Sequence, residues 1–550
     1  MQHFNIITRR GFFDRSLKIG LGVALATLTD IPFVMKRALA EGNIGIPGPD
    51  GKIKKLLFVF LRGANDSLNS LIPIQDPAYE PNRPDISIPK GAADYSATGL
   101  MDDFSAMNGF PVEAIRSGNG FAALHPSLKY LAPAYNAGDL AMIHRVGYPR
   151  QSRSHFDSQN YWENGNPNNN LSKDGIFYRA MVESGLANTN PLTGISIQSA
   201  LPLILRGSEA AMTNLGDPTR FKLLGIPNNA AGTSKATNNI VAANAFPFPD
   251  KLNRDLLNLQ YKNMDKVLNE FATGADFSET GNTFIDPTTG YHLFPTTNPK
   301  NAGGVVANYV VDNASASYTF FKNLKAAALV LNKTDAIIAG TELGGFDTHN
   351  DQIGKVAGVP EPLIGAHANL QKRIGWAMYG LRKYFMTYAD RATWENTIVV
   401  TLSEFGRTTV QNGTLGTDHA EGGAIFVAGG AIKGMGKSGR TTGIFGCHPD
   451  DTYNGVSKTA IGWVPGSATP GTTTGSMFGI SNRYLKRTVD YRSVLGELIR
   501  DHLGATQPQL NRIIPGYAVP NQKLQGGGTT SNSTTEKTDG TTIAGELDIV

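Results

Sequence analysis

A single cysteine, Cys447, stands in 550 residues, so neither an intrachain disulfide framework nor a thiolate zinc site is available and stability has to come from a packed core. Charge is scarce as well. Asp, Glu, Lys and Arg together make 17% of the chain against 40% hydrophobic residues, which excludes a disordered polyelectrolyte. The formal charge of +4 comes from the first 40 residues, which hold six Lys/Arg and two Asp/Glu; the remainder carries 44 of each sign. No Lys/Arg-dense stretch follows residue 40, so the cation surplus that displaces counterions from phosphates is missing and nucleic acid is excluded as a partner. Glycine and proline are plentiful, at 62 and 30, as expected of a compact chain rich in loops and tight turns.

A run long and apolar enough to span a bilayer, about 20 residues, is also lacking near the N-terminus. There Thr8-Arg9-Arg10-Gly11-Phe12-Phe13 precedes a weakly apolar stretch, Leu17 to Val34, interrupted by Thr27, Thr29, Asp30, two glycines and a proline. Lys36-Arg37 and Ala38-Leu39-Ala40 follow. This pattern reads as a twin-arginine export signal over residues 1–40 cleaved after Ala40, with no stable membrane anchor and a periplasmic or secreted product.

The continuous apolar run within Lys52–Leu61 (KIKKLLFVFL) has the character of a central parallel strand buried on both faces. Leu140–Val146, Ala336–Thr341, Thr397–Leu402 and Ala424–Ala428 repeat it, each leading into a glycine-rich or polar loop. Helical spacing runs through residues 365–388, where Leu370, Ile374, Ala377, Leu381 and Phe385 share a face, and near 254–273, 316–332 and 490–503. Strands alternating with long helices predict an α/β fold: a doubly wound, mostly parallel sheet covered by helices on both faces, with the ligand crevice at the carboxyl ends of its strands. This domain is expected over residues 41–517, with insertions near 215–312 and 431–480. The Gly/Thr/Ser-rich stretch 518–550 reads as a disordered tail.

Four polar clusters follow those strands. Arg62-Gly63-Ala64-Asn65-Asp66 offers Asp66 either as a metal ligand or as the cap of an Asx turn. Ser152-Arg153-Ser154-His155-Phe156-Asp157 brings hydroxyls, bases and a guanidinium within six residues. Ser154 is the expected nucleophile and Ser152 the alternative, although a polar loop would look the same. In Gly344-Gly345-Phe346-Asp347-Thr348-His349, a carboxylate and an imidazole two residues apart on an extended segment point the same way, which suits one Zn²⁺ or Mn²⁺. Finally Ser403-Glu404-Phe405-Gly406-Arg407 and Thr417-Asp418-His419 place Glu404, Asp418 and His419 at neighbouring strand ends, as a metal site or as a salt-bridged loop. The remaining histidines (125, 144, 292, 367, 448 and 502) lack a neighbouring ligand set, and Cys447 lacks a paired base.

Read together and in order, LRGANDSLNSLIPIQDPAY, HPSLKYL, VGYPRQSRSHFDSQNYWE, GGFDTHNDQ, TLSEFGRT and TDHAEGG resemble the DUF1501 family, exported proteins placed near the alkaline phosphatase and sulfatase superfamily. The resemblance covers roughly residues 52–520. It implies an alkaline-phosphatase-like core and a metal-dependent hydrolase of phosphate or sulfate esters, small or polymeric, holding one or two divalent ions (Zn or Mn, with Ca or Mg as alternatives). Asp66, Asp347, His349, Glu404, Asp418 and His419 would be the ligand set, Ser154 or Ser152 with His155 the catalytic pair, and Arg153 or Arg407 the cation facing the ester oxygens. Phe405 departs from the superfamily, which has histidine there, and weakens the expectation of a second ion. The alternative is an exported, non-catalytic protein that keeps the fold to bind a glycan, a surface polymer or a partner protein.

Overall fold

The computed structural model describes residues 44–74, 79–91, 113–116, 122–187, 192–216, 230–243, 284–296, 314–446, 485–529 and 542–550, apart from a few isolated positions. The expected export signal, the helix expected near 254–273, Cys447, His448 and most of the expected 431–480 insertion lie outside these residues.

Nine strands make one mixed sheet: β1 (Lys55–Leu61), β2 (Leu140–Gly147), β3 (Gly194–Ile197), β4 (Thr213–Leu215), β5 (Ile338–Leu343), β6 (Thr397–Leu402), β9 (Gly423–Ala428), β10 (Ile444–Phe445) and β11 (Val489–Asp490). A separate two-stranded ribbon pairs β7 (Gly406–Arg407) with β8 (His419–Ala420). The sheet order is β10-β2-β9-β6-β1-β5-β3-β4, and β11 pairs with β2. β6, β1, β5, β3 and β4 run parallel. β9 alone among these strands runs antiparallel to its neighbours β6 and β2, so the loop preceding β9 arrives at the edge where the parallel strands end.

β1 sits at the centre because every residue of KLLFVFL is apolar after Lys55 and all seven are buried. Leu57, Val59 and Leu61 point into one core; Leu56, Phe58 and Phe60 point into the other. Fully burying each such side chain favours the fold by about 1.5–3 kcal/mol, which a strand exposed on one face would forgo for half its residues. Beside it, a Cβ on Gly340 of β5 would lie 2.1 Å from the Phe58 ring, so the glycine makes room for the phenyl group.

Helices cover both faces. α4 (Ser315–Lys333) and α5 (Ala366–Thr387) pack on the first core through Phe321, Leu324, Ile374 and Leu381. α1 (His155–Asn164), α2 (Ile176–Glu183), α6 (Tyr491–Glu497) and α7 (Gln507–Ile513) pack on the second through Trp162, Phe177, Val494 and Leu510. A further helix, α3 (Ala230–Ala243), lies in the first of the expected insertions. No helix among the described residues is long and apolar enough to cross a membrane.

The expectation of disorder over 518–550 fails at both described ends. Leu524, Ala544, Leu547 and Ile549 are buried in the second core, and β12 (Gly528–Thr529) pairs with β13 (Thr542–Ile543). Composition misled there because a few apolar residues spaced through Gly and Thr are enough to seat a strap on an existing core.

Candidate metal centre

The loops that leave β1, β2, β5 and β6 and the loop that enters β9 meet at one edge of the sheet. Glycine lets them close up. A Cβ on Gly63, whose φ is +109°, would stand 2.4 Å from the Asp347 amide nitrogen, and one on Gly416 would stand 2.1 Å from the His349 carbonyl oxygen. The segment 344–349 is thereby clasped between the loop after β1 and the loop before β8. Ala64 follows Gly63 with φ of +64°, a left-handed conformation that costs a non-glycine residue free energy. It is held there because the Ala64 carbonyl accepts from Arg407 Nε.

His155, Asp347, His349 and His419 converge at this edge. His349 Nε2 is 2.8 Å from His419 Nε2 and 3.2 Å from Asp347 Oδ1. Asp347 Oδ1 is in turn 3.4 Å from His419 Nε2 and 3.5 Å from His155 Nε2. His155 Nε2 is buried and makes no hydrogen bond.

The opposite nitrogen of each ring is anchored. His155 Nδ1 lies 2.8 Å from Glu404 Oε1, His349 Nδ1 lies 3.2 Å from Asp418 Oδ1, and His419 Nδ1 lies 2.8 Å from the Arg153 carbonyl oxygen. Carboxylates and carbonyls only accept, so each Nδ1 carries the proton, and a neutral ring then turns a bare Nε2 lone pair inward. Three such lone pairs and a carboxylate oxygen repel one another unless a cation lies among them. Two donors each about 2.0–2.2 Å from a shared tetrahedral ion are separated by roughly 3.3–3.5 Å. The distances from Asp347 Oδ1 to His419 and His155 fall there, that to His349 is 3.2 Å, and the His349–His419 pair, at 2.8 Å, is closer. The anchoring of each ligand imidazole by an acceptor on its far side is the usual way such rings are oriented.

Electrostatics fits this layout at Glu404, His419 and Asp347, whereas at His155 it favours a proton on Nε2 that a bound cation would have to displace. Burial opposes ionisation of Glu404, yet hydrogen bonds from His155, Gln159 and the Gly63 amide outweigh it and hold the carboxyl below its ordinary range. The Glu404 hydrogen bond raises the His155 imidazole above its usual value against its own desolvation. Desolvation and the nearby Arg407 charge lower His419, favouring its neutral form. Asp347 is pushed up by partial burial, but Arg407, whose Nη2 is 2.6 Å from Oδ1, together with His155 and His349 brings it below its usual value.

Several expected roles are displaced. Asp66 does not reach the cluster: Arg83 takes both its oxygens, at 2.7 and 2.9 Å, and Gln352 donates to one of them, all fully buried. A carboxylate so saturated has no lone pair positioned for an ion. Glu404 and Asp418 stand behind histidines rather than among the inward-facing donors. Arg407 is buried and commits its guanidinium to the carbonyls of Gly63, Ala64, Phe346 and Thr417 and to Asp347, so it positions Asp347 and cannot face a substrate. Arg153 contributes its backbone oxygen. Ser154 is the N-cap of α1, accepting from the Asp157 amide, and the Ser152 hydroxyl accepts from the Ser154 amide. His155 therefore opens a helix, where a polar loop was the competing expectation. Phe405 lies under the His155 and His419 rings, with centroids 4.8 and 4.9 Å away, as an apolar floor.

Arg83, Gln159 and Gln352 went unnoticed in the sequence. The helix start that would have revealed Gln159 is written there, because Ser154-x-x-Asp157 has the form of a capping box and Gln159 sits one turn after His155. His125, which caps a 3₁₀ turn, and His144 and His502, which bond to backbone carbonyls, have the structural roles expected of them.

Residues 297–453, which hold Asp347, His349, Glu404, Arg407, Asp418 and His419, match the family model of DUF1501, a protein of unknown function. That match supports the family resemblance carried by the motifs. Asp66 and His155 lie outside the matched residues. No curated protein matches the chain.

Proposed function

We propose that this chain is an exported metal-dependent hydrolase with a mononuclear centre held by His155, His349, His419 and Asp347. One observation carries the reading: the Nε2 atoms of His155, His349 and His419 each lie within 3.5 Å of Asp347 Oδ1, while every Nδ1 is tied to an acceptor. Nitrogen-rich donors favour Zn²⁺ or Mn²⁺ over Ca²⁺ or Mg²⁺, which prefer oxygen. A single ion is favoured over two because the Arg83 guanidinium already neutralises Asp66.

The four side chains are a quarter to a half exposed, at 24%, 49%, 36% and 26% for His155, Asp347, His349 and His419, so a substrate can approach. A divalent ion at this point supplies Lewis acidity toward an ester oxygen and makes a water more acidic. The chain orients the ligands: Glu404 and Asp418 fix two ring tautomers, Arg407 fixes the Asp347 carboxylate, and Phe405 excludes water from beneath. Phosphate and sulfate esters as substrates rest on the resemblance to alkaline phosphatases and sulfatases. With Ser154 serving as a helix cap, water is the favoured nucleophile.

The test is turnover of p-nitrophenyl phosphate and p-nitrophenyl sulfate by Zn²⁺- or Mn²⁺-loaded protein, before and after chelation. Turnover lost on chelation, retained in Ser154→Ala and abolished in His155→Ala is expected. Bound metal without turnover of either ester favours the second reading, a non-catalytic binding protein. The buried pairing of Asp66 with Arg83 gives that reading its own support, since it removes a ligand expected of a two-ion phosphatase.

A further inference from the structure

The closest donors of the cluster, His349 and His419, belong to two segments 70 positions apart in the chain, and one side chain fastens those segments together from behind. Gln352 is fully buried. Its Oε1 accepts from the Thr348 hydroxyl at 3.0 Å and from the Thr417 hydroxyl at 2.9 Å. Thr348 stands between Asp347 and His349, and Thr417 directly precedes Asp418 and His419. Both threonines are buried, while the two histidines are partly exposed. The backbone repeats the link: the Thr417 amide donates to the Thr348 carbonyl at 3.2 Å, and the Gln352 amide donates to the Leu415 carbonyl at 3.0 Å.

The surroundings decide how the Gln352 amide is turned. Nε2 donates to Asp66 Oδ2 at 2.7 Å, and the flipped amide would set its oxygen against that carboxylate. With Nε2 fixed there, both lone pairs of Oε1 are taken by the two hydroxyls, each of which has a single proton to donate. Asp66 thus anchors the amide, and the joint between the two ligand-bearing segments is the Oε1 atom.

We propose that Gln352 is a positioning residue of the metal centre, holding the His349 and His419 segments in the register at which their Nε2 atoms meet. Its effect on the ion rests on the metal-centre reading; the link between the segments does not. Zn²⁺ affinity of the full chain, measured by chelator competition, should fall about 10–100-fold in Gln352→Met, which keeps length and burial but removes the acceptor. Arg83 still holds both Asp66 oxygens in that variant, so the buried charges stay paired. Thr348→Val and Thr417→Val keep the shape of threonine without its proton and should each weaken binding. Thr348→Ser and Thr417→Ser keep the proton and should bind as the wild type does, whereas a residue that merely fills space would tolerate valine better than serine. Affinity unchanged in Gln352→Met, or lowered as much by serine as by valine, overturns the proposal. A wild type that binds no Zn²⁺ defeats the metal-centre reading instead, and hydrogen exchange of the ion-free chain then decides the link. Faster exchange in 345–352 and 412–419 together in Gln352→Met keeps Gln352 as the residue that positions the two histidines, and unchanged exchange in either segment removes it.

Discussion

At the scale of single residues, the two buried carboxylates Asp66 and Glu404 show how alike sequence contexts take different work. Both follow central strands. Asp66 meets a guanidinium 17 positions further on, in a loop that nothing in the sequence marks as its partner. Removing it leaves Arg83 charged and buried, so Asp66→Ala should cost about 3–5 kcal/mol of stability in urea unfolding while metal content per folded chain stays unchanged. Loss of metal with little change in stability would return Asp66 to the ligand set. Glu404 faces His155 across a single hydrogen bond. Glu404→Gln should weaken Zn²⁺ binding by about 10–100-fold in a chelator competition, the usual effect of disturbing a ligand's outer partner. Unchanged affinity would show that Glu404 does not orient the imidazole. The D-x-H pair was legible because alternation along an extended segment fixes direction. The saturation of Asp66 was not, because it depends on a long-range partner.

At the scale of elements, strands with continuous apolar runs announced themselves, and β6 coincides with the stretch expected, Thr397–Leu402. The long helix α5 did so too, through its repeating apolar face. Short β3 and β4 did not, since three or four residues carry too little pattern, and the start of α1 was masked by polar residues that double as a cap. The C-terminal strap was hidden by its composition. It is fastened by Glu497 on α6, which accepts from the amides of Leu547 and Ile549 and whose carboxyl is pushed by burial up to about 7 from an ordinary value of 4.5. The folded state thus holds this proton more tightly than the unfolded chain does. The stabilisation is complete below pH 4.5, declines as pH rises, and is gone once pH passes about 7. Urea midpoints measured between pH 4.5 and 8 should fall more steeply with pH in the wild type than in Glu497→Gln. Parallel curves would mean that the strap is indifferent to this proton.

At the scale of the whole molecule, the convergence of motifs from residue 155 to residue 419 follows from the sheet. Parallel strands deliver their following loops to one edge, and the reversed β9 delivers its preceding loop there as well. That general convergence was legible from strand and loop order alone. Which members of the clusters face inward was not, because it depends on loop packing against Gly63 and Gly416. Metal content of the purified full chain, measured by inductively coupled plasma mass spectrometry after loading with Zn²⁺ or Mn²⁺ and removal of excess, bears most directly on the arrangement. A single ion per chain in the wild type, lost in His419→Ala and retained in Asp66→Asn, is expected. No ion in the wild type, two ions per chain, or an occupancy indifferent to His419→Ala would contradict a mononuclear centre built from His155, Asp347, His349 and His419.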